Sequence, residues 1–391
     1  MLQSFSIEAF KSFPKQALDF RELTLLCGFN NSGKSSVIQS LRMYCNAFDG
    51  GEPLLTGHGG IDELRSKLSS PNSSIRFSAK FLDGTVHEYS ISDSGFVIPK
   101  KAPVCYFLSA DRLGPQVSLP VEQRSRRFPK IGAKGEYVVG FLEVLRNSTV
   151  HETLRHKKSQ GSTLEYQLVA WLGEIAPGVE VLFRTDKKRD SAYFEFDSFR
   201  PLNVGFGLSY CLPILAAVLG LTAESPANGW KDSILGEELG SLWEKERKDR
   251  GVLLLIENPE AHLHPKGQTA LGKFIARAAM CGVQFVIETQ SDHLMDGIRI
   301  AVKESNLSDK AGSSVELGLR PDGSSVSEGD IPKLENSKKV RPDNVIFHYL
   351  EKDSTGETKI QTPDLDLNGK LSFWPEGFFD QTLKNRSILA R

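Results

Sequence analysis

The sequence of 391 residues has no surplus of either charge: 48 Lys and Arg against 49 Asp and Glu leave a formal net charge of -1. A global electrostatic pull toward nucleic acid or a membrane surface is therefore absent, and any basic surface must be local. Cysteine is sparse. Cys27, Cys45, Cys105, Cys211 and Cys281 show neither CxxC nor zinc spacing, and their odd number argues against a disulfide framework. They read as reduced core thiols of an intracellular protein. No basic region followed by an apolar stretch opens the chain, as a secretory signal would. The longest apolar run, Cys211–Leu221, falls short of the ~20 residues that cross a bilayer. Internal repeats, low-complexity tracts and extended heptads are also missing, which excludes a long coiled-coil arm. These absences point to a soluble, cytoplasmic protein without a membrane partner.

What remains is an ordinary globular composition, 39% hydrophobic and 25% charged, able to bury a large core. Leu2–Phe13 alternates apolar and polar residues as one half-buried strand does, and a second strand signal, Leu23–Cys27, ends at Gly28. A helical pattern follows through Val37, Ile38, Leu41 and Tyr44, then a Gly/Pro/Ser-rich loop over 48–72. Ile75–Phe81 and Val86–Ile91 flank Asp83-Gly84, a hairpin signal. Val252–Ile256 and Val283–Ile287 are continuous apolar runs separated by a helical pattern over Lys266–Met280. Strand, helix, strand in that order implies a parallel sheet.

The sharpest local signal is Gly28-Phe29-Asn30-Asn31-Ser32-Gly33-Lys34-Ser35, followed by Ser36. It fits G-x-x-x-x-G-K-[ST] between a strand and a helix, the setting that the chemistry requires. Backbone N–H groups turn inward around phosphate oxygens, Lys34 supplies a point charge, and Ser35 offers a hydroxyl to Mg²⁺. The helix start adds its positive dipole end. ATP and Mg²⁺ are the cofactors expected.

Further segments resemble an ABC-type ATPase head. Phe10-Lys11-Ser12-Phe13 resembles the opening of RecF-like and chromosome-maintenance ATPases. Leu253 to Pro265, reading LLLIENPEAHLHP, is similar to the Walker B and D-loop region of the overcoming-lysogenisation-defect group. Val286 to His293, VIETQSDH, resembles its switch segment, and Asn203-Val204-Gly205-Phe206-Gly207-Leu208-Ser209 its degenerate signature. Trp374 to Asp380, WPEGFFD, resembles a C-terminal domain of unknown function found on one bacterial branch. The resemblance implies an α/β phosphate-loop fold: a first ATPase lobe over 1–120, an inserted basic and helical arm over 121–200, a second lobe over 201–330, and a C-terminal domain over 331–391. It implies a homodimer that sandwiches ATP, with Gly205, Gly207 and Ser209 of one subunit facing the nucleotide of the other. On that reading His264 lies at the D-loop; zinc at His262 and His264 lacks a third ligand. Members of this branch often act in anti-phage defence through a separate effector protein, for which a nuclease is one candidate.

Glu257 ends a buried strand, where its carboxylate can hold Mg²⁺ through water. Two positions depart from the family pattern. Asn258 stands where a catalytic glutamate is usual, and an amide can position water but cannot take its proton. Glu260 is the alternative base if it faces the nucleotide. Gln290 replaces the switch histidine; it can hydrogen-bond a γ-phosphate without shuttling a proton. Arg112, just after the strand signal Val104–Leu108, either reaches a phosphate, pairs with an acid, or lies on the surface. The basic residues of 121–160, including Arg124, Arg126 and Arg127, either contact DNA or form a solvated face. Residues 300–391 offer only Asp364-Leu365-Asp366 as a nuclease-like acid pair, outside a strand-end setting, so no built-in nuclease is expected. Slow hydrolysis, or ATP used to hold two heads together, is the expectation. Lys34→Ala abolishes ATP binding on this reading, and unchanged affinity by calorimetry would remove the basis for it.

Overall fold

The computed structural model describes residues 1–116, 119–120, 128–175, 181–186, 191–196, 206–231, 233–314, 338–374 and 388. Its first strand, β1 (Leu2–Phe10), buries Phe5 and Ile7 on alternate positions. The strand stops earlier than the alternation suggested. Lys11 takes a positive φ of 49°, and the chain returns antiparallel as β2 (Phe13–Asp19). Pro14 is tolerated inside β2 because that strand is the edge of its sheet, where a missing ladder donor can be spared.

β3 (Leu23–Gly28) is buried throughout and leads through the phosphate loop into α1 (Lys34–Phe48). The expected hairpin follows as β4 (Ile75–Phe81) and β5 (Val86–Ser92), with Gly84 at φ 80° in the turn. With β6 (Gly95–Val97) these strands form a five-stranded antiparallel sheet in the order β2-β1-β4-β5-β6. Phe5 meets Tyr44 of α1 edge-on at 5.7 Å, so this sheet packs directly on the helix that leaves the phosphate loop.

After β7 (Val104–Leu108) come α2 (Val138–Leu145), α3 (Leu164–Ile175), α4 (Phe206–Thr222) and α5 (Gly236–Arg250). Then β8 (Val252–Glu257), α6 (Pro265–Ala279), β9 (Val283–Glu288) and α7 (Asp292–Ser314) alternate. The chain ends its described part with β10 (Val345–Lys352) and β11 (Thr358–Gln361). A six-stranded sheet results, in the order β11-β10-β3-β9-β8-β7. All its pairings are parallel except that of the edge strand β11. The strand carrying the phosphate loop is thus separated from β8 by β9, and the C-terminal ends of all three meet at one edge. This is an α/β phosphate-loop fold.

Helices α2 and α3, from the segment expected to form an arm, bury Phe141, Leu142, Leu168 and Leu172 in the same core as Leu254 and Leu271. Arg124, Arg126 and Arg127 lie outside the described residues. The C-terminal segment, expected as a domain over 331–391, contributes β10 and β11 to the central sheet. Most of WPEGFFD lies outside the described residues; Trp374 itself stacks over the Arg299 guanidinium at 4.8 Å. Among the described residues no helix is long and apolar enough to cross a membrane.

Helices α6 and α7 fix the segment between β9 and α7. They touch backbone to backbone: a methyl group at Gly272 would collide with the Leu294 carbonyl, and one at Gly297 with the Thr269 carbonyl. Gly297→Val should therefore force the helices apart and cost about 2–3 kcal/mol. Urea unfolding checks this; an unchanged midpoint would mean that the helices are not held at this distance.

Candidate functional site

The phosphate loop is shaped by positions where a side chain has no room. Gly28 has φ 138° and lies against the Leu350 carbonyl of β10. Gly33 has φ 106°, and a Cβ there would sit 2.7 Å from Thr358 Oγ1. Asn31, at φ 64°, takes the left-handed conformation that asparagine accepts more readily than most residues. α1 begins at Lys34 with no acidic residue in its first turn, so its N-terminal dipole is not neutralised. Lys34 folds back, its Nζ donating to the carbonyls of Gly28 at 3.0 Å and Phe29 at 2.7 Å. Burial lowers its pKa, and the Glu288 carboxylate opposes that shift.

A cavity of about 720 Å³ opens over this loop. Asn30, Asn31, Ser32, Gly33, Lys34, Ser35 and Ser36 line it. Lys11, Arg65, Lys67 and Lys352 add cations, against the carboxylates of Glu63 and Glu288. The walls favour an anion. Ser32 Oγ and Asn258 Oδ1 are closed off from solvent and have no hydrogen-bond partner among the described residues. Buried polar atoms of that kind fit a polar ligand.

The acids are arranged differently from the sequence expectation. Glu288, the last residue of β9, was not singled out, although it stands in the quoted switch segment. Its carboxylate accepts from Ser35 Oγ at 2.9 and 3.1 Å. Burial, with the Glu257 and Glu260 charges adding to it, raises its pKa to about 7. The signal that could have found it is positional: an acid ending a buried strand beside the phosphate-loop strand. Glu257 instead turns its Oε2 to the backbone N–H of Ala110 at 3.2 Å, outside the cavity lining. Asn258 does line the cavity. It has φ 42° and donates its backbone N–H to the Glu288 carbonyl at 2.8 Å.

Glu260 does not line the cavity either. Its Oε1 accepts from the Gln290 backbone N–H at 3.0 Å, and burial raises the carboxyl's pKa. Gln290 lines the cavity and donates Nε2 to Asn30 Oδ1 at 2.7 Å. One hydrogen-bonded path thus runs from the turn after β8 through the switch segment to the phosphate loop.

Arg112 is 2% exposed and does not reach the cavity. Its Nη1 donates to the carbonyls of Ser109 and Glu257, both at 2.7 Å, and its Nη2 to that of Asn258 at 2.6 Å. It braces the turn after β8 from behind. In the first turn of α4, Gly207 approaches so close to the His262 carbonyl that a Cβ would lie 2.7 Å away. Ser209 is 3% exposed, with no hydrogen-bond partner for its hydroxyl among the described residues. Gly205 lies outside the described residues. His264 is exposed and caps α6, its Nδ1 accepting from the Lys266 N–H at 3.3 Å. Gly207, Ser209 and His264 are absent from the cavity lining of their own chain. Among the described residues no three His, Cys, Asp or Glu side chains cluster as a metal site.

Residues 1–89 match the family model described as AAA ATPase domain. The chain carries an ATPase-type nucleotide-binding site. Residues 340–387 match a second model, protein of unknown function DUF3696. No curated protein matches the chain. Among solved structures it is similar to the SMC head domain from Thermotoga maritima, at 11% identity and TM-score 0.41, covering 93% of this chain and 99% of that one. It is also similar to the Smc head domain with an extended coiled coil, bound to the C-terminal domain of ScpA, from Pyrococcus furiosus. That match has 9% identity and TM-score 0.47, covering 100% of this chain and 99% of the other. A third similarity is to the recombination mediator RecF with ATP, at 13% identity and TM-score 0.39, covering 75% and 94%.

A raised carboxylate pKa has a definite signature in stability. The folded state holds a proton on Glu288 up to about pH 7, whereas the unfolded chain releases it near the usual carboxylate value. The contribution of this group is therefore fully present below the unfolded value and is lost as pH rises through 7. In protein free of metal and nucleotide, it should fall by up to about 3 kcal/mol between roughly pH 5 and pH 8. Glu288→Gln should flatten that part of the profile; an identical slope would show that the carboxylate is not held in this way.

Proposed function

We propose that this chain is an ATP-binding ABC-type head that closes on a second copy around ATP, hydrolyses it slowly, and through that cycle controls a separate effector protein in bacterial defence or DNA maintenance. The observation that carries this reading is the pairing of a complete phosphate loop with Asn258 at the cavity wall, in the position where the family pattern has a catalytic glutamate. Lys34 and the α1 N-terminus supply the charge for the polyphosphate. Asn258 can hold a water by its amide but cannot itself take the proton, and a missing general base costs about 10²–10⁴-fold. Glu260 is an unsuitable replacement, because its carboxylate does not line the cavity. Gln290 can report on the nucleotide through Asn30.

Ser35 and Glu288 bring three oxygen atoms together beside the loop, hard donors of the kind that suit Mg²⁺. When bound, Mg²⁺ would neutralise phosphate charge there. Glu257 lies one pairing step away, opposite Glu288 across β8 and β9. Gly207, Ser209 and His264, absent from their own chain's cavity, suit a role at the nucleotide of the opposite subunit. DNA contact through 121–160 and a cytoplasmic location belong to the same reading. The second reading, an ATP-gated scaffold with negligible turnover, is favoured by Asn258 itself.

Both readings require ATP to join two heads. Light scattering on the wild-type protein with ATP, with ADP and without nucleotide should give a doubled mass with ATP alone, and Lys34→Ala should abolish the doubling. The same mass in all three states would exclude the head-to-head sandwich.

A further inference from the structure

The C-terminal strands do more than widen the sheet. β10 pairs in parallel with β3 from Val345 opposite Leu23 to Leu350 opposite Gly28, so it accompanies the strand to the start of the phosphate loop. Beyond that point it runs on to Lys352 and turns through Asp353–Glu357 into β11. The turn is tightly built: Asp353 Oδ1 accepts from the N–H groups of Thr355 at 2.9 Å and Glu357 at 3.1 Å. Thr358, fully buried, fastens the returning strand to both neighbours. Its N–H donates to the Ser12 carbonyl at 2.9 Å, and its Oγ1 to the Ser32 carbonyl at 2.9 Å. The hairpin therefore moves as one piece with the phosphate loop.

From this support Lys352 reaches over the loop. Its Nζ donates to Asn31 Oδ1 at 3.0 Å, and Lys352, Thr355 and Gly356 line the same cavity as Lys34. An ammonium carries three donors, and Asn31 accepts one of them. Lys34 approaches from the floor of the loop, whereas Lys352 approaches from its outer side.

We propose that Lys352 is a second phosphate-binding cation of the nucleotide site, supplied by the C-terminal segment of unknown function. This rests on the nucleotide-site reading above and deepens it. The polyphosphate, carrying full negative charge, outcompetes the neutral Asn31 amide for the ammonium. Residues 345–361, within the DUF3696 match, then form one wall of the nucleotide site, and nucleotide occupancy is felt directly by that segment.

The test is calorimetric titration of the full-length protein with ATPγS and with ADP. Lys352→Ala and Lys352→Gln should each weaken binding about tenfold, and Lys352→Arg should retain most of the affinity. Lys352→Gln separates the two roles open to this side chain, because its amide can still donate to Asn31 but carries no charge. Wild-type affinity in Lys352→Gln would reduce Lys352 to a brace for Asn31 and overturn the proposal. So would wild-type affinity in Lys352→Ala. Unchanged melting temperatures of the nucleotide-free variants confirm that the loss is not one of folding. Lys34→Ala, run alongside, distinguishes the failures: if it binds normally the nucleotide-site reading falls, and if it alone loses binding only the Lys352 proposal falls.

Discussion

The nucleotide site depends on backbone packed against backbone at the end of β3. The Leu350 carbonyl of β10 leaves no space for a side chain at Gly28, and Thr358 leaves none at Gly33. The chain between these two points is thus fixed at both ends by positions where a side chain is excluded. β9 closes the other side, placing Glu288 against Ser35 and accepting the Asn258 N–H on its final carbonyl. The loop is thus shaped from both flanks by strands that come from the far end of the sequence. A glycine-rich loop without those flanks would have many conformations, only one of which cradles an anion.

The same flanks distribute the acids. Glu257, Glu260 and Glu288 lie near one another, yet each is held by a different partner: the Ala110 N–H, the Gln290 N–H and the Ser35 hydroxyl. Only Glu288 reaches the cavity wall. Asn258 stands beside it in a left-handed conformation, and Arg112 steadies that turn from below by gripping three carbonyls. The resulting site is well equipped to hold a polyphosphate.

Much of this was legible in the sequence, for physical reasons that differ by element. The phosphate loop was readable because its chemistry demands glycine, lysine and serine at fixed spacing. β8 and β9 were readable because strands buried on both faces are continuously apolar. The turn at Lys11 was not, since Phe10 and Phe13 keep the alternation going across a reversal of direction. The share of α2 and α3 in the core was masked by the arginines and lysines that precede and separate them. Glu288 escaped notice because the family resemblance drew attention to Glu257 and Asn258, and residue type alone does not tell which of two strand ends faces the cavity. Nor could the sequence show that Val345–Lys352 pairs with Leu23–Gly28, because parallel pairing leaves no local trace.

That last pairing bears on how the protein is made. β3 lies between β9 and β10, so a strand near the start of the chain waits for partners near residues 283–288 and 345–352. A nascent chain carries its phosphate loop out of the ribosome long before either partner exists, and such distant pairings form late. Chains arrested before residues 345–352 have been made will therefore be unable to assemble the loop in this form.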